Sequence, residues 1–458
     1  MTTISFPPNC SPTSVRFSEL DGAAVGVWGA GREIKSFAAQ LARRLPSARI
    51  AVVALDDGGE DVPPELIERG ARVVTGPGVV AALASCDVLV RSPGVSIYRE
   101  ELRELSRRGV PTTTATAMWL AETGGENVIG VTGTKGKSTT ATLLAHLARA
   151  AGRTVHLSGN IGAPALDLLD APPGDLVVLE LSSYQIADLV RGPDVAVMTN
   201  LYPEHLDWHG TEATYRADKL RLLGLDGVRA TVVNGRDPAL VESARIGRDV
   251  VRFGVPGGWD VTLDGVALGG TLVAPWSRLP LRGEHNALNL CAALAALSAA
   301  GVPAPRLPDA LDGIVVLPHR LEVVADRDGV VWVDDSISTT PESTLAALQS
   351  FPDREIVLIA GGKDRGQDYT LLGRELAKRG AVAIGLPVTG SRLVEAARTA
   401  GVPDDRAVEV ADMESAVAAA LRFATRGGAV LLSPAAASYN SYVNFEERGA
   451  DFRARIAP

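Results

Sequence analysis

Short apolar runs alternate with amphipathic stretches along most of the chain. Ala24-Val-Gly-Val-Trp28 is apolar throughout and predicts a buried strand. Glu33 to Leu45 places Ile34, Phe37, Ala38, Leu41 and Leu45 at helical spacing, which predicts a helix with one buried face. Arg49–Ala54 and Asp87–Arg91 predict further strands. A second series opens at Asn127–Val131 and continues at Leu176–Leu179 and Val195–Met198, and a third opens near Val330–Val333 and continues at Ile356–Ala360, Val382–Leu386 and Ala429–Leu432. Strands apolar on both faces and separated by helices belong to parallel sheets with both faces covered. The expected fold class is α/β, with three domains, each around a mostly parallel sheet, at 1–116, 117–316 and 317–458. The Pro/Gly-rich stretches Ala171–Gly174 and Val255–Trp259 read as loops inside the middle domain.

Composition narrows the function. The 458 residues hold 45 Lys and Arg against 54 Asp and Glu, a net charge of −9, which argues against nucleic acid as a partner. Cys10, Cys86 and Cys291 have no metal-type spacing and are odd in number, so they read as reduced thiols. Met1 to Phe17 lacks the pattern of a secretory signal. The longest apolar run, Ala287 to Val302, is short and carries Asn289 and Ser298, so it predicts a buried helix and no membrane partner. A cytoplasmic protein is expected.

Chemistry concentrates after the strand at 127–131. Gly130-Val-Thr-Gly133-Thr-Lys135-Gly136-Lys137-Ser138-Thr139-Thr140 leads from that strand into a helix over 141–150. A glycine-rich turn lets backbone N–H groups approach phosphate, and the helix N-terminus adds partial positive charge. Lys137 suits the outer phosphates, and the Ser138 hydroxyl suits Mg²⁺. Five residues separate Gly130 from Gly136, one more than the ordinary G-x-x-x-x-G-K-S/T pattern has. Glu180 ends the strand 176–180, where parallel sheets collect their ligand chemistry. Pro203-Glu-His205-Leu-Asp207-Trp-His209 offers a base or metal ligands, zinc included, or is simply a polar loop.

Gly29-Ala30-Gly31 follows the first strand and precedes the first helix, and Asp56 and Asp57 end the second strand. This is part of a dinucleotide fingerprint without its third glycine. A dinucleotide-dependent oxidoreductase and a nucleotide-binding regulatory protein therefore stand as alternatives to an ATP-consuming enzyme.

Taken in order, the motifs resemble the Mur ligases. The phosphate segment is similar to that family's G-x-T-G-T-N-G-K-S/T, which accounts for the extra residue. Ser92-Pro93-Gly94, Ser158-Gly-Asn160-Ile-Gly162, Glu180-Leu-Ser182-Ser183-Tyr184-Gln185, Glu204-His205-Leu-Asp207 and Tyr215-Arg-Ala-Asp-Lys219 resemble its further motifs. So do Gly283-Glu-His285-Asn286-Ala-Leu-Asn289, Leu317-Pro-His319-Arg320, Asp335-Ser336, Gly361-Gly362 and Asn444-Phe445-Glu446-Glu447-Arg448-Gly449. The MurD branch, which joins glutamate to UDP-N-acetylmuramoyl-L-alanine in cytoplasmic peptidoglycan precursor synthesis, is the nearest match.

The resemblance implies a Rossmann-like N-terminal domain for the UDP-substrate, a central P-loop ATPase domain and a Rossmann-like C-terminal domain for the amino acid. It implies an ADP-forming amide-bond ligase that acts through an acyl phosphate, with ATP, two Mg²⁺ ions and a CO₂-derived carbamate on Lys219. Lys137, Asn160, His205 and Lys219 take the catalytic roles. Gly133, Thr134, Lys135, Gly136, Lys137, Ser138, Thr139, Asn289, Arg320 and Asp335 bind ATP, and Ser138, Glu180, His205 and Lys219 hold metal. Gly29, Ala30, Gly31, Asp56, Ser92, Pro93, Gly94, Ser182 and Gln185 bind the UDP-substrate, and Thr339, Arg365, Ser438 and Phe445 bind glutamate. A monomer is expected.

Three departures from the family pattern matter. Lys135 stands where the family has Asn. The family's D-S-K-A-T-N reads Asp335-Ser336-Ile337-Ser338-Thr339-Thr340, which removes a lysine, and an aspartate of its S-P-A-x-A-S-x-D run has become Asn440. A carboxylate that relied on that lysine would lose a charge-assisted bond of roughly 1.5–3 kcal/mol. The last two changes fall on the amino-acid pocket, and the run Asp335–Pro341 resembles the branch that attaches L-glutamate. L-glutamate is the favoured substrate, with D-glutamate the alternative.

Overall fold

The computed structural model describes residues 14–56, 62–202, 204, 206–244, 249–281, 283–312, 314 and 318–456, with the side chains at 206 and 207 excepted. The chain divides into two compact units, one of residues 1–279 with 284–313, the other of 280–283 with 314–458.

The first unit holds two parallel sheets. In the first, the strands run in the order Arg72–Thr75, Arg49–Leu55, Ala24–Trp28, Val88–Arg91, Thr112–Thr113. In the second, the order is Asp249–Phe253, Ala230–Asn234, Val195–Met198, Val128–Thr132, Leu176–Glu180, Val155–Gly159. Val128–Thr132 and Leu176–Glu180 are buried at every position, which is why they read as unbroken apolar runs. Helix Glu284–Ala299 packs against helix Lys137–Ala150 and buries Asn286, Ala287 and every residue from Asn289 to Leu297. Each buried leucine of such a helix contributes about 1.5–3 kcal/mol. The expected buried helix at 287–302 is thus present, beginning three residues earlier. Among the described residues no helix is long and apolar enough to cross a membrane. Cys86 and Cys291 are buried free thiols, and Cys10 lies outside the described residues.

A small antiparallel sheet, Trp259–Val261, Gly265–Leu268 and Thr271–Pro275, was not expected. Trp259, read as the end of a loop, begins its first strand. The tight turn at Gly269-Gly270 has φ of +56° and +84°, the left-handed values that two-residue hairpins need.

The second unit has one sheet, in the order Glu322–Arg327, Val330–Asp334, Ala429–Leu432, Ile356–Ala360, Val382–Gly385, Ala407–Glu409. Only Glu322–Arg327 runs antiparallel, paired with Val330–Asp334. Alternate residues serve opposite faces: Val331 and Val333 join the core with Leu372 and Leu393, while Val330 and Trp332 join the core with Val417 and Phe452.

Candidate active site

The phosphate loop joins the central strand Val128–Thr132 to helix Lys137–Ala150. Gly136 has φ +80°, and a Cβ there would collide with Asn289 Oδ1. Asn289 is buried behind the loop, accepts from Thr140 Oγ1 at 3.3 Å and donates to Asn286 Oδ1 at 3.3 Å. Its placement is that of a brace on the loop. Lys137 Nζ donates to Thr134 O at 2.9 Å, and Thr134 Oγ1 lies 2.7 Å from Tyr215 Oη. Lys135 N donates to Asn200 Oδ1 at 2.8 Å and Lys135 Nζ to Glu204 Oε1 at 2.7 Å. Ser138 is half-buried in the first turn of the helix and Thr139 is buried beside it.

Glu180 is fully buried at the end of the neighbouring strand. Asn160 Nδ2 donates to its Oε1 at 3.1 Å, and its Oε2 has no hydrogen-bond partner among the described residues. A buried carboxylate oxygen without a partner is costly, by roughly 1–3 kcal/mol or more, so this atom fits a cation. Lys219 sits at a helical position, where a lysine is ordinarily solvated, yet it is 2% exposed. Its Nζ donates to Gly133 O at 2.8 Å and Thr132 Oγ1 at 3.3 Å. Burial, reinforced by the charge of Lys137, holds its pKa well below the usual lysine range, while Glu204 and Glu180 pull the other way. His205 and the side chain of Asp207 lie outside the described residues. Among the described residues no three His, Cys, Asp or Glu side chains converge. A hard cation such as Mg²⁺ needs few protein oxygens when phosphates and water complete its shell.

Of these groups, Lys137, Asn160, Glu204 and Lys219 line one cavity of about 390 Å³ together with residues of the first sheet. In that sheet the strand order reverses between Ala24–Trp28 and Val88–Arg91, the usual place for a ligand crevice. Gly29 (φ +94°) follows one strand and Ser92 the other, and a Cβ on Gly29 would stand 2.7 Å from Ser92 Cβ. Ser92, Pro93 and Gly94 line the cavity opposite Lys137, Asn160 and Lys219. Ser182 and Gln185 line it too, but their polar atoms serve the fold: Ser182 N donates to Gln185 Oε1 at 2.8 Å, and Gln185 Nε2 to Glu33 Oε1 at 2.6 Å. Burial raises the pKa of Glu33. Ala30 is buried, Gly31 precedes the helix Arg32–Arg44, and neither lines the cavity. Asp56 accepts from Arg99 Nη1 at 2.7 and 2.8 Å and from Trp28 Nε1 at 3.1 Å. Arg32 and Glu33 also line the cavity and carry no sequence signal that would have singled them out; Tyr184 lines it too and belongs to the Glu180–Gln185 motif.

In the second unit, loops converge at the ends of the three central strands. Asp335 is buried, accepts from Ser433 Oγ at 2.6 Å and from Leu321 N at 3.1 Å, and burial pushes its pKa up to about 6. Arg448 is 1% exposed and donates to Ser336 Oγ (3.0 Å), Ser336 O (2.8 Å), Ala436 O (3.1 Å) and Gly361 O (3.4 Å). Ser438 is buried two residues after Ala436, whose carbonyl accepts from Arg448, and Phe445 accepts from Ser336 Oγ through its carbonyl at 2.8 Å. Arg320 and Thr339 are half-buried. Arg365 is exposed, 5.9 Å from the Tyr439 ring, and Asn440 Nδ2 donates to Pro387 O at 2.9 Å.

Residues 131–297 match the Mur ligase middle domain, and residues 319–436 match the Mur ligase glutamate ligase domain. A Salinispora tropica protein named UDP-N-acetylmuramoyl-L-alanine–L-glutamate ligase is 44% identical over 452 residues, which cover 96% of this chain and 98% of that protein. A Xanthomonas campestris protein of the same name is 38% identical over 452 residues, covering 96% of each. The chain belongs to the Mur ligase family. Within it the chain falls in the MurD branch and is an ADP-forming amide-bond ligase. Two solved Mur ligases of Thermotoga maritima share the fold: MurF in complex with ADP (TM-score 0.58, 18% identity, 98% of both chains) and MurC (TM-score 0.57, 16% identity, 95% of this chain and 99% of that one). In this Mur ligase Ser438, Phe445 and Arg448 lie beyond the matched C-terminal segment.

Proposed function

We propose that this Mur ligase joins L-glutamate to UDP-N-acetylmuramoyl-L-alanine at the expense of ATP. The observation that carries the reading is the shared cavity, where Lys137, Asn160 and Lys219 face the Ser92–Gly94 turn. One wall is a phosphate loop and the other is the switch point of a separate sheet, so a nucleotide-linked carboxylate and a triphosphate can meet there. Lys137 would lie on the outer phosphates as they pass to the carboxylate, and Asn160 would orient the acyl phosphate. The amine of the amino acid would then displace phosphate and close the amide. Mg²⁺, held by Ser138 and Glu180 and, in the second site, by His205 and carbamylated Lys219, would supply charge for the transferring phosphoryl group. A neutral lysine amine is the form that combines with CO₂, in keeping with the buried setting of Lys219. Asp335 and Arg320 are assigned to ATP, and Thr339, Arg365, Ser438 and Phe445 to glutamate. The domains are assigned to 1–116, 117–316 and 317–458.

The choice of L-glutamate is supported by the changes at Ile337 and Asn440 and by the names of the relatives above. Inverting the α-carbon while the amine stays aimed at the acyl phosphate moves at least one carboxylate, so its partners must move too. The deciding measurement is kcat/KM for the two glutamate enantiomers with UDP-N-acetylmuramoyl-L-alanine and ATP. A D-glutamate preference of about tenfold, roughly 1.4 kcal/mol, would overturn the assignment.

A further inference from the structure

A buried arginine behind the Ser92–Gly94 turn has no place in the roles assigned so far. Arg91 is 0% exposed. Its Nη1 donates to Ser92 O (3.3 Å), Pro93 O (3.1 Å) and Val95 O (2.8 Å), and its Nη2 donates to Tyr184 O at 3.1 Å. Its charge is met by Asp188, whose Oδ2 accepts from Nε at 3.0 Å and from Nη2 at 2.7 Å. Trp208 works on the same turn: its Nε1 lies 3.1 Å from both Pro93 O and Gly94 O, and its ring stacks on Tyr184 at 4.7 Å. Arg91 and the turn belong to the first sheet, whereas Asp188, Tyr184 and Trp208 follow strands of the second.

The carbonyls of Ser92, Pro93, Gly94 and Val95 are therefore drawn onto two donors behind the turn. A carbonyl left facing the cavity would set partial negative charge against an anionic ligand, and the low-dielectric surroundings would enlarge that penalty. We propose that Arg91, seconded by Trp208, is a positioning residue for the nucleotide substrate. It withdraws acceptor oxygens from the cavity wall so that the wall accepts a nucleoside-diphosphate-linked anion. It also fixes Tyr184 of the opposite wall in register with the turn. The substrate named here rests on the function proposed above.

Two conservative variants of the full chain test this. Arg91→Lys keeps a charge for Asp188 but cannot reach the four carbonyls at once. Trp208→Phe keeps a stacking ring and removes only the N–H. Phosphate release is measured with UDP-N-acetylmuramoyl-L-alanine and ATP varied in turn, alongside thermal melts. Each variant is expected to raise KM for the UDP-substrate tenfold or more, with KM for ATP within twofold, kcat within threefold and a cooperative melt retained. A general loosening of the fold would move both KM values together, and that result overturns the proposal, as does an unchanged KM for the UDP-substrate in a folded variant. If Arg91→Lys does not fold, Trp208→Phe decides alone. Wild-type enzyme that releases no phosphate with this substrate overturns the proposed function, and with it the ligand assigned to the turn. Wild-type turnover beside unaffected variants overturns only the role of Arg91 and Trp208.

Discussion

Replacing Arg448 by methionine sets two large effects against each other. The guanidinium binds the carbonyls of Ser336, Ala436 and Gly361, on the loops after three adjacent strands. Methionine fills much of the volume but donates nothing. Three buried carbonyls then lose a donor, at roughly 1–3 kcal/mol each, with the longest bond, at 3.4 Å, counting least. Against this stands the cost of burying the charge. No carboxylate pairs with Arg448 among the described residues; Asp334, the nearby acid, is taken by Arg453 Nε at 2.9 Å and His319 Nδ1 at 2.7 Å. Burial pushes the guanidinium pKa from 12.5 down to about 10, a penalty on the order of 3 kcal/mol. The hydrogen bonds win by a modest margin, so Arg448→Met should destabilise the second unit by about 2–4 kcal/mol. Native-state amide exchange over Ile356–Ala360 and Ala429–Leu432 is the suitable assay, because a chain of two units need not unfold in one step. Arg448→Lys, which keeps the charge but not the fork, should fall between wild type and Arg448→Met. Protection in Arg448→Met equal to or above wild type would refute the reasoning and show that the buried charge costs more than its bonds return.

Other outcomes follow from the same geometry. Asp335 titrates at about 6 in the folded chain against 3.8 unfolded. Between those values the folded state holds a proton that the unfolded state has released, so stability falls as pH rises through the window, on the order of 3 kcal/mol in all. Asp335→Asn should lack that fall, and thermal melts from pH 4 to 7 should show wild type losing ground to the variant; parallel curves would count against it. Gly136→Ala places a side chain at φ +80° against Asn289, a strain of about 1–2 kcal/mol before the collision. If about 1.4 kcal/mol of that strain is felt in ATP binding, KM for ATP should rise about tenfold, and Asn289→Ala in the same chain should recover part of it in a double-mutant cycle. Lys219→Ala should lose activity by about a hundredfold or more, and a short carboxylate added to the assay should restore part of it if, as proposed, the missing group is a metal-proximal carboxylate; undiminished phosphate release would remove Lys219 from the site.

The buried strands were legible because both faces are covered, which turns Ala24–Trp28 and Ile356–Ala360 into unbroken apolar runs. Val155–Gly159 and Asp249–Phe253 passed unseen because edge strands carry polar residues and lose the pattern. The hairpin strands are short and partly exposed, and Asp264-Gly265 and Gly269-Gly270 at their turns were their local signals. The phosphate loop was legible from its glycines and lysine. Lys219 was not, since a lysine at a helical position is ordinarily solvated and only family resemblance set it apart. Arg91 and Arg448 were missed for the same reason: sequence periodicity counts arginine as surface, and only tertiary packing reveals that their partners are backbone carbonyls. Asn289 was assigned to ATP on its motif, while its contacts place it behind the loop.

The two sheets of the first unit are tied together by polar links around the cavity, among them Gln185 to Glu33, Arg91 to Asp188, Tyr98 to Asp218 at 2.7 Å and Ser36 to Asp167 at 2.7 Å. Such a seam, among the described residues, opposes hinge motion between the phosphate loop and the Ser92–Gly94 turn. The cleft therefore stands ready before any ligand arrives, and little ordering entropy is lost when one enters. Encounter should then resemble a key entering a cut lock, with association limited by diffusion and orientation and affinity expressed in residence time. An inhibitor of fixed shape spanning both walls would gain most from such a site, because neither partner would have to be folded into place.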